Sequence, residues 1–110
     1  MDMLEMPFKE FQKLDLRVGR IEEAERVPET DKLVKMSVNI GDETRTLAAG
    51  IADVYDVKDL VGKSVIVLVN LEPKTLRGIE SKGMILAAVI DGKPVLLTTD
   101  SDVEPGAKVM

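Results

Sequence analysis

The chain contains no cysteine, no histidine and no tryptophan, and its aromatic content is two phenylalanines and one tyrosine in 110 residues. Each absence closes a class of chemistry. Without cysteine there is no disulfide and no thiolate nucleophile, a composition compatible with a reducing compartment. Without histidine as well, the chain can build no Ser-His or Cys-His nucleophilic pair, no imidazole proton shuttle and no zinc site of the usual kinds. The phosphate-cradling patterns GxxxxGK[ST] and GxGxxG are missing. No run of 18 or more apolar residues occurs, and MDMLEMPFKEF has no basic region, apolar stretch or cleavage site, so a cytoplasmic location is the default expectation. Carboxylate, Lys or Tyr catalysis remains open. The acidic residues, however, fall in runs such as Glu22, Glu23 and Glu25 or Asp100, Asp102 and Glu104, which read as solvated surface. Asp100 and Asp102 lack the glycine and terminal glutamate of a calcium loop. No enzyme activity, cofactor or metal is expected.

What is present is a core. With 45% hydrophobic residues in 110, the chain suits one domain, residues 1–110. Pro7 followed by Phe8, Phe11 and Leu14 predicts a short amphipathic helix that starts at the proline. Leu16 and Val18 alternate with polar neighbours, but the next apolar residue is Ile21, and this change of parity predicts a β-bulge around Gly19 and Arg20. Val34, Met36, Val38 and Ile40 alternate with Lys35, Ser37 and Asn39, the pattern of a half-buried strand. Gly41-Asp42 turns the chain into a third strand, Thr44 to Leu47. A short helix around Val57 to Leu60 follows, with Asp56 as N-cap and Gly62 as its stop. The fourth strand, Val65 to Val69, and the fifth, Met84 to Ile90, are apolar on nearly both faces, which places them across the middle of a barrel or under another chain. Asp91-Gly92 then turns into Pro94 to Thr98, and Pro94 argues for an edge. The fold class is all-β: a five-stranded OB-fold barrel with a short N-terminal helix, a short helix between strands three and four, and a C-terminal hairpin.

Between the fourth and fifth strands runs NLEPKTLRGIESKGMILAA, Asn70 to Ala88, which no hydrophobic core requires. Lys74, Arg77 and Lys82 sit in it in an otherwise acidic protein of net charge −5. Displayed between two buried strands, it reads as a presenting loop.

Several spaced motifs now agree in order. FQKLDLRVGRIEEAERVPETDKL (Phe11 to Leu33), AAGIADVY (Ala48 to Tyr55), LVGKSVIVLVNLEPKTLRGIESKGMILAA (Leu60 to Ala88) and VEPGAKV (Val103 to Val109) together resemble the tRNA-binding OB domain. That domain occurs as a free-standing structure-specific tRNA-binding protein, as the C-terminal domain or β subunit of methionyl-tRNA synthetase, and in the cytokine-precursor cofactors of eukaryotic synthetase complexes. The resemblance covers nearly the whole chain. It implies a non-catalytic homodimer that grips the outer corner of tRNA and recruits it to a synthetase, with a methionyl-tRNA synthetase catalytic subunit as a further partner. An alternative role is a dimerisation or protein-interaction subunit. The dimeric export chaperones that share this barrel resemble LDLRVG but depart at AAGIADVY and LRGIESKGM.

Matched position by position, the family's binding surface falls on Lys32, Lys74, Arg77, Ser81 and Met84, with Asn70 just before the loop; Lys82 adds a third cation within it. Lys and Arg neutralise phosphates, and Ser81 can hydrogen-bond a phosphate or ribose hydroxyl. Each has a second reading. Lys32 and Lys74 can be ordinary surface lysines, Arg77 a partner of Glu80 or Glu72, Asn70 a cap on strand four, and Met84 a core residue opening strand five. The scarcity of aromatics leaves no stacking platform for single strands, so a nucleic-acid role here means recognising a folded backbone and its 2′-hydroxyls. The net charge opposes long-range attraction. Within the loop, three cations against Glu72 and Glu80 leave one net positive charge.

Overall fold

A computed structural model describes residues 4–110, and its first element, α1 (Phe8–Phe11), starts directly after Pro7, whose fixed φ suits a helix entry. One turn forms. Phe11 and Leu14 pack on the body while Phe8 stays exposed beside the Phe11 ring, 6.2 Å centroid to centroid. Residues 1–3, part of the stretch read above as lacking a leader, lie outside the described residues.

The barrel is built from β1 (Leu16–Arg26), β2 (Leu33–Asn39), β3 (Thr44–Gly50), β4 (Ser64–Leu68) and β7 (Met84–Ile85), antiparallel in the order β3-β2-β1-β4-β7. β7 lies beside β3, so the sheet is nearly closed. Between β4 and β7 are two further short strands, β5 (Lys74–Leu76) and β6 (Ile79–Ser81), paired as a hairpin of their own. A second hairpin follows β7, made of β8 (Ala87–Ile90) and β9 (Lys93–Leu96) around Asp91-Gly92, both with positive φ. β10 (Lys108–Val109) returns to pair with the start of β1. Between β3 and β4, α2 (Val57–Leu60) is capped by the Asp56 side chain, which accepts from the Lys58 N–H, and it buries Leu60. No helix among the described residues is long and apolar enough to cross a membrane.

Two apolar clusters explain the strands that are hydrophobic on both faces. Val65, Val67 and Val69 point into the barrel with Ile21, Val34, Met36, Val38, Ile40 and Leu47. Ile66 and Leu68 point outward, onto Leu16 and Val18, under Phe11, Leu14, Leu86, Val103 and Val109. The chain's own ends therefore cover β4.

The same two-sidedness corrects the bulge. Leu16 and Val18 belong to the outer cluster and Ile21 to the inner one, so the change of parity marks a strand with a core on each face and needs no extra residue. The register irregularity comes later, between Ile21 and Glu23, where the strand enters its acidic stretch. Gly19 serves packing instead: a Cβ there would lie 2.7 Å from Val38 Cγ1 and 3.0 Å from Val67 Cγ2. The single fifth strand expected over Met84 to Ile90 is also divided. The Leu86 N–H still donates to the Ile66 carbonyl of β4 at 2.9 Å, but beyond it Ala87–Ile90 pairs with β9, leaving Val89 and Ile90 73% and 63% exposed.

Candidate nucleic-acid interface

The segment between β4 and β7 forms a two-stranded ribbon. Leu76 pairs with Ile79, and the two-residue turn between them has both Arg77 (φ 51°) and Gly78 (φ 84°) left-handed, the geometry that matches strand twist in a tight hairpin. At its root the Ser81 hydroxyl accepts from the Ala48 N–H at 3.0 Å and donates to the Gly83 carbonyl at 3.1 Å. The Lys82 N–H donates to the Thr46 carbonyl at 3.0 Å. Gly83 fits tightly: its φ is 134°, and a Cβ would approach the Leu68 carbonyl oxygen to 3.0 Å. Arg45 reinforces the root from behind, donating to the Val69 carbonyl at 2.8 Å and pairing with Glu43 at 3.2 Å.

Two open grooves flank this ribbon. On one side, Arg77 reaches the loop between β1 and β2 and donates through Nη2 to the Glu29 carbonyl at 3.0 Å. The groove beneath that contact, ≈330 Å³, brings Lys32 and Arg77 together over Gly50 and Leu76. On the other side, a groove of ≈420 Å³ is lined by Lys35, Arg45 and Lys82 together with Glu43 and Glu80. Lys82 lies 3.7 Å from Glu80, and Lys35 lies 3.9 Å from Glu25. Its cations are thus partly offset by neighbouring carboxylates.

The expected site residues separate accordingly. Lys32 and Arg77 share one groove and Lys82 lines the other, while Lys74 stands exposed on β5 opposite Ser81. Arg77 pairs with neither Glu80 nor Glu72 but with the Glu29 backbone. Ser81 needs correction as a direct contact: it is 5% exposed, and its donor and one lone pair are used inside the chain. Asn70 is engaged internally as well. Its Oδ1 accepts from the Asp15 N–H at 2.8 Å, and its Nδ2 donates to the Lys13 carbonyl at 2.6 Å, which ties strand four to the segment after α1. Met84 is 45% exposed, so the reading as a core residue fails, yet it lines neither groove. Lys35 and Arg45, which line the second groove, were not among the expected residues. Lys35 was legible as an outward residue of its strand, but nothing in the sequence said that the ribbon would lie beside it.

Beyond the grooves, Arg17 grips Asp15 through two hydrogen bonds of 2.9 Å and Asp42 at 3.0 Å. The hydrogen-bonded Arg17 guanidinium holds the Asp15 carboxyl below its ordinary range, and the same bond raises Arg17. Acidic Asp102 is likewise engaged, by Arg20 at 3.1 Å. In position, the β2–β3 face, the β1–β2 loop and the ribbon between β4 and β7 are the surfaces with which OB barrels take oligonucleotides.

Residues 16–108 match the model of a family described as a putative tRNA binding domain. The chain belongs to that family. This tRNA-binding domain is 51% identical over 105 residues to the methionine–tRNA ligase of Archaeoglobus fulgidus, a match that covers 96% of the chain and 16% of the ligase. The domain spans about a sixth of that relative's length. Among solved structures, the MetRS-related protein of Pyrococcus horikoshii superposes with a TM-score of 0.92 at 39% identity, over 98% of this chain and 100% of that one. The chaperone CsaA of Bacillus anthracis superposes with a TM-score of 0.88 at 29% identity, over 96% and 99%. Methionyl-tRNA synthetase domains and CsaA-type proteins are therefore its relatives.

Proposed function

We propose that this domain binds folded tRNA, largely without regard to sequence, through the β5–β6 ribbon, the β1–β2 loop and the β2–β3 face between them. It acts as a non-catalytic, cytoplasmic recruiting module for an aminoacyl-tRNA synthetase, most directly methionyl-tRNA synthetase. The observation that carries the reading is the ribbon itself: a hydrogen-bonded hairpin, anchored at Ser81 and Lys82, that holds Lys74 and Arg77 at fixed places on an OB binding face. Phosphate contacts of this kind position a folded RNA and carry no base information. Lys32, Lys74, Arg77 and Lys82 supply the cations, with Lys35 beside them. Met84 is kept as a contact at the margin. Ser81 and Asn70 act by fixing the backbone that presents the others.

The domain works as a homodimer in this reading. Support comes from the β8–β9 hairpin, where Val89, Ile90 and Val95, with Leu97 just beyond β9, are exposed close together. A second copy is the partner proposed for that hairpin. The structural likeness to CsaA favours a second reading, a dimeric protein-interaction module, in which the hairpin dimerises and the ribbon takes no RNA.

The two readings part in a mobility-shift titration against several different tRNAs. The double variant Lys74→Glu with Arg77→Glu is expected to weaken all of them alike, by tenfold or more, since each phosphate contact contributes on the order of one unit of salt slope. Unchanged affinity in that variant defeats the proposal.

A further inference from the structure

Among the described residues, three non-glycine positions have left-handed backbones: Glu29 (φ 63°), Arg77 (φ 51°) and Asp91 (φ 51°). Asp91 sits in an Asp-Gly turn that favours this geometry. The other two belong to different loops and meet each other, because Arg77 Nη2 donates to the Glu29 carbonyl. Residues held in sparsely populated backbone regions cluster where function needs them, and here the pair forms the rim of one groove.

That groove differs from its neighbour in chemistry. The groove beyond β6 is lined mainly by charged side chains, whereas this one has an apolar floor of Leu33, Leu76 and the bare backbone of Gly50. Its two cations, Lys32 and Arg77, stand with Glu29 and Asp31 in the same wall, so a phosphate gains little from lying inside. A flat ring gains more: it can rest on the apolar floor and stack on a guanidinium plane, the way unstacked RNA bases are held where aromatic residues are absent. At ≈330 Å³ the groove is at the small end of ligand pockets, roughly 300–1,000 Å³. Gly50 keeps it open. Its backbone is ordinary strand, and a Cβ there would meet the flexible Lys32 stem at 3.4–3.7 Å, so a larger side chain would push that stem aside and occupy the groove.

We infer that the groove between Lys32 and Arg77, floored by Gly50 and Leu76, is a subsite for one unstacked nucleotide of the bound RNA, its base stacked against Arg77. The inference rests on the tRNA-binding reading above and adds a base contact to a backbone-reading surface.

The test uses whole tRNA with the wild-type chain, Gly50→Val, Arg77→Lys and the Lys74→Glu, Arg77→Glu pair. Gly50→Val is expected to keep the wild-type melting temperature and to change the salt slope by no more than about one unit, the share of the Lys32 side chain it displaces, while weakening tRNA about tenfold, the scale of one stacked base. Arg77→Lys keeps the charge and should weaken binding comparably. Base-specific footprinting should show one base of the tRNA protected by wild type and exposed again with Gly50→Val. Wild-type affinity in Gly50→Val, or no base protection, overturns the subsite, and the reading survives if the charge-reversed pair still loses binding. Absence of tRNA binding by wild type defeats both. If Gly50→Val fails to fold, Arg77→Lys and the wild-type footprint decide: undiminished affinity or no protected base overturns the subsite.

Discussion

Lys74 and Ser81 face each other across the root of the ribbon, and the difference in their burial separates presentation from contact. Ser81→Ala removes the partner of the Ala48 N–H in a buried place, which costs about 1–3 kcal/mol. Urea denaturation is expected to register that loss, and tRNA binding to weaken with it. Lys74→Glu should leave the denaturation midpoint within about 0.5 kcal/mol of wild type, as surface changes do, and weaken binding alone. If Ser81→Ala lost affinity with no loss of stability, the hydroxyl would be a contact after all. Asp15 gives a pH test at the same scale. Its folded pKa is depressed by Arg17, so the pair contributes stability above the unfolded value of about 3.9, and that contribution is lost as pH falls through the folded pKa. Asp15→Asn should therefore be less stable than wild type at pH 7 and should converge on it in acid. A stability difference of equal size at both pH values would remove the charge from the explanation.

For the elements, the hairpin turn carries a measurable tension. Arg77 occupies a left-handed position that costs an ordinary residue roughly 1–2 kcal/mol and suits Asn or Gly. Arg77→Asn is expected to stabilise the fold by about 1 kcal/mol in thermal or urea melts while weakening tRNA. Loss of stability instead would mean that the Glu29 hydrogen bond outweighs the backbone strain. Most elements were legible because their physics is local: the alternation of Val34 to Ile40, the Asp56 cap and the Asp91-Gly92 turn each needs only neighbouring residues. The ribbon was not legible as strands, since three-residue strands show no periodicity. Nor was the division of the fifth strand at Leu86, which depends on the chain turning from β4 to pair with β9, a partner that follows it in the sequence. The bulge at Gly19 was misplaced for a related reason. A strand with a core on both faces and a strand with an extra residue give the same parity change, and only the positions of α1 and the C-terminal segment distinguish them. The site followed the same division. The cations of the loop were visible one by one, whereas the engagement of Ser81 and Asn70 depends on partners 33 and 55 residues away.

In the whole molecule, charge and shape pull in opposite directions. A net charge of −5 repels RNA at long range, and the carboxylates beside Lys35, Arg45 and Lys82 weaken it nearby, so affinity has to come from fit. Dimer formation would double both the fitted surface and the repulsion. Sedimentation at micromolar concentration is expected to give a dimer, and Ile90→Glu on the exposed hairpin a monomer of unchanged fold; a monomeric wild type would contradict the assembly. The central claim, that a barely basic surface selects tRNA by its folded shape, is tested most directly by competition. Labelled tRNA bound to the domain is challenged with unlabelled folded tRNA, and with single-stranded and duplex RNA of equal length, at low and moderate salt. The account predicts that folded tRNA displaces the label at concentrations at least tenfold lower than either competitor, with the preference kept as salt rises and screens the nonspecific term. Equal displacement by all three RNAs would contradict it.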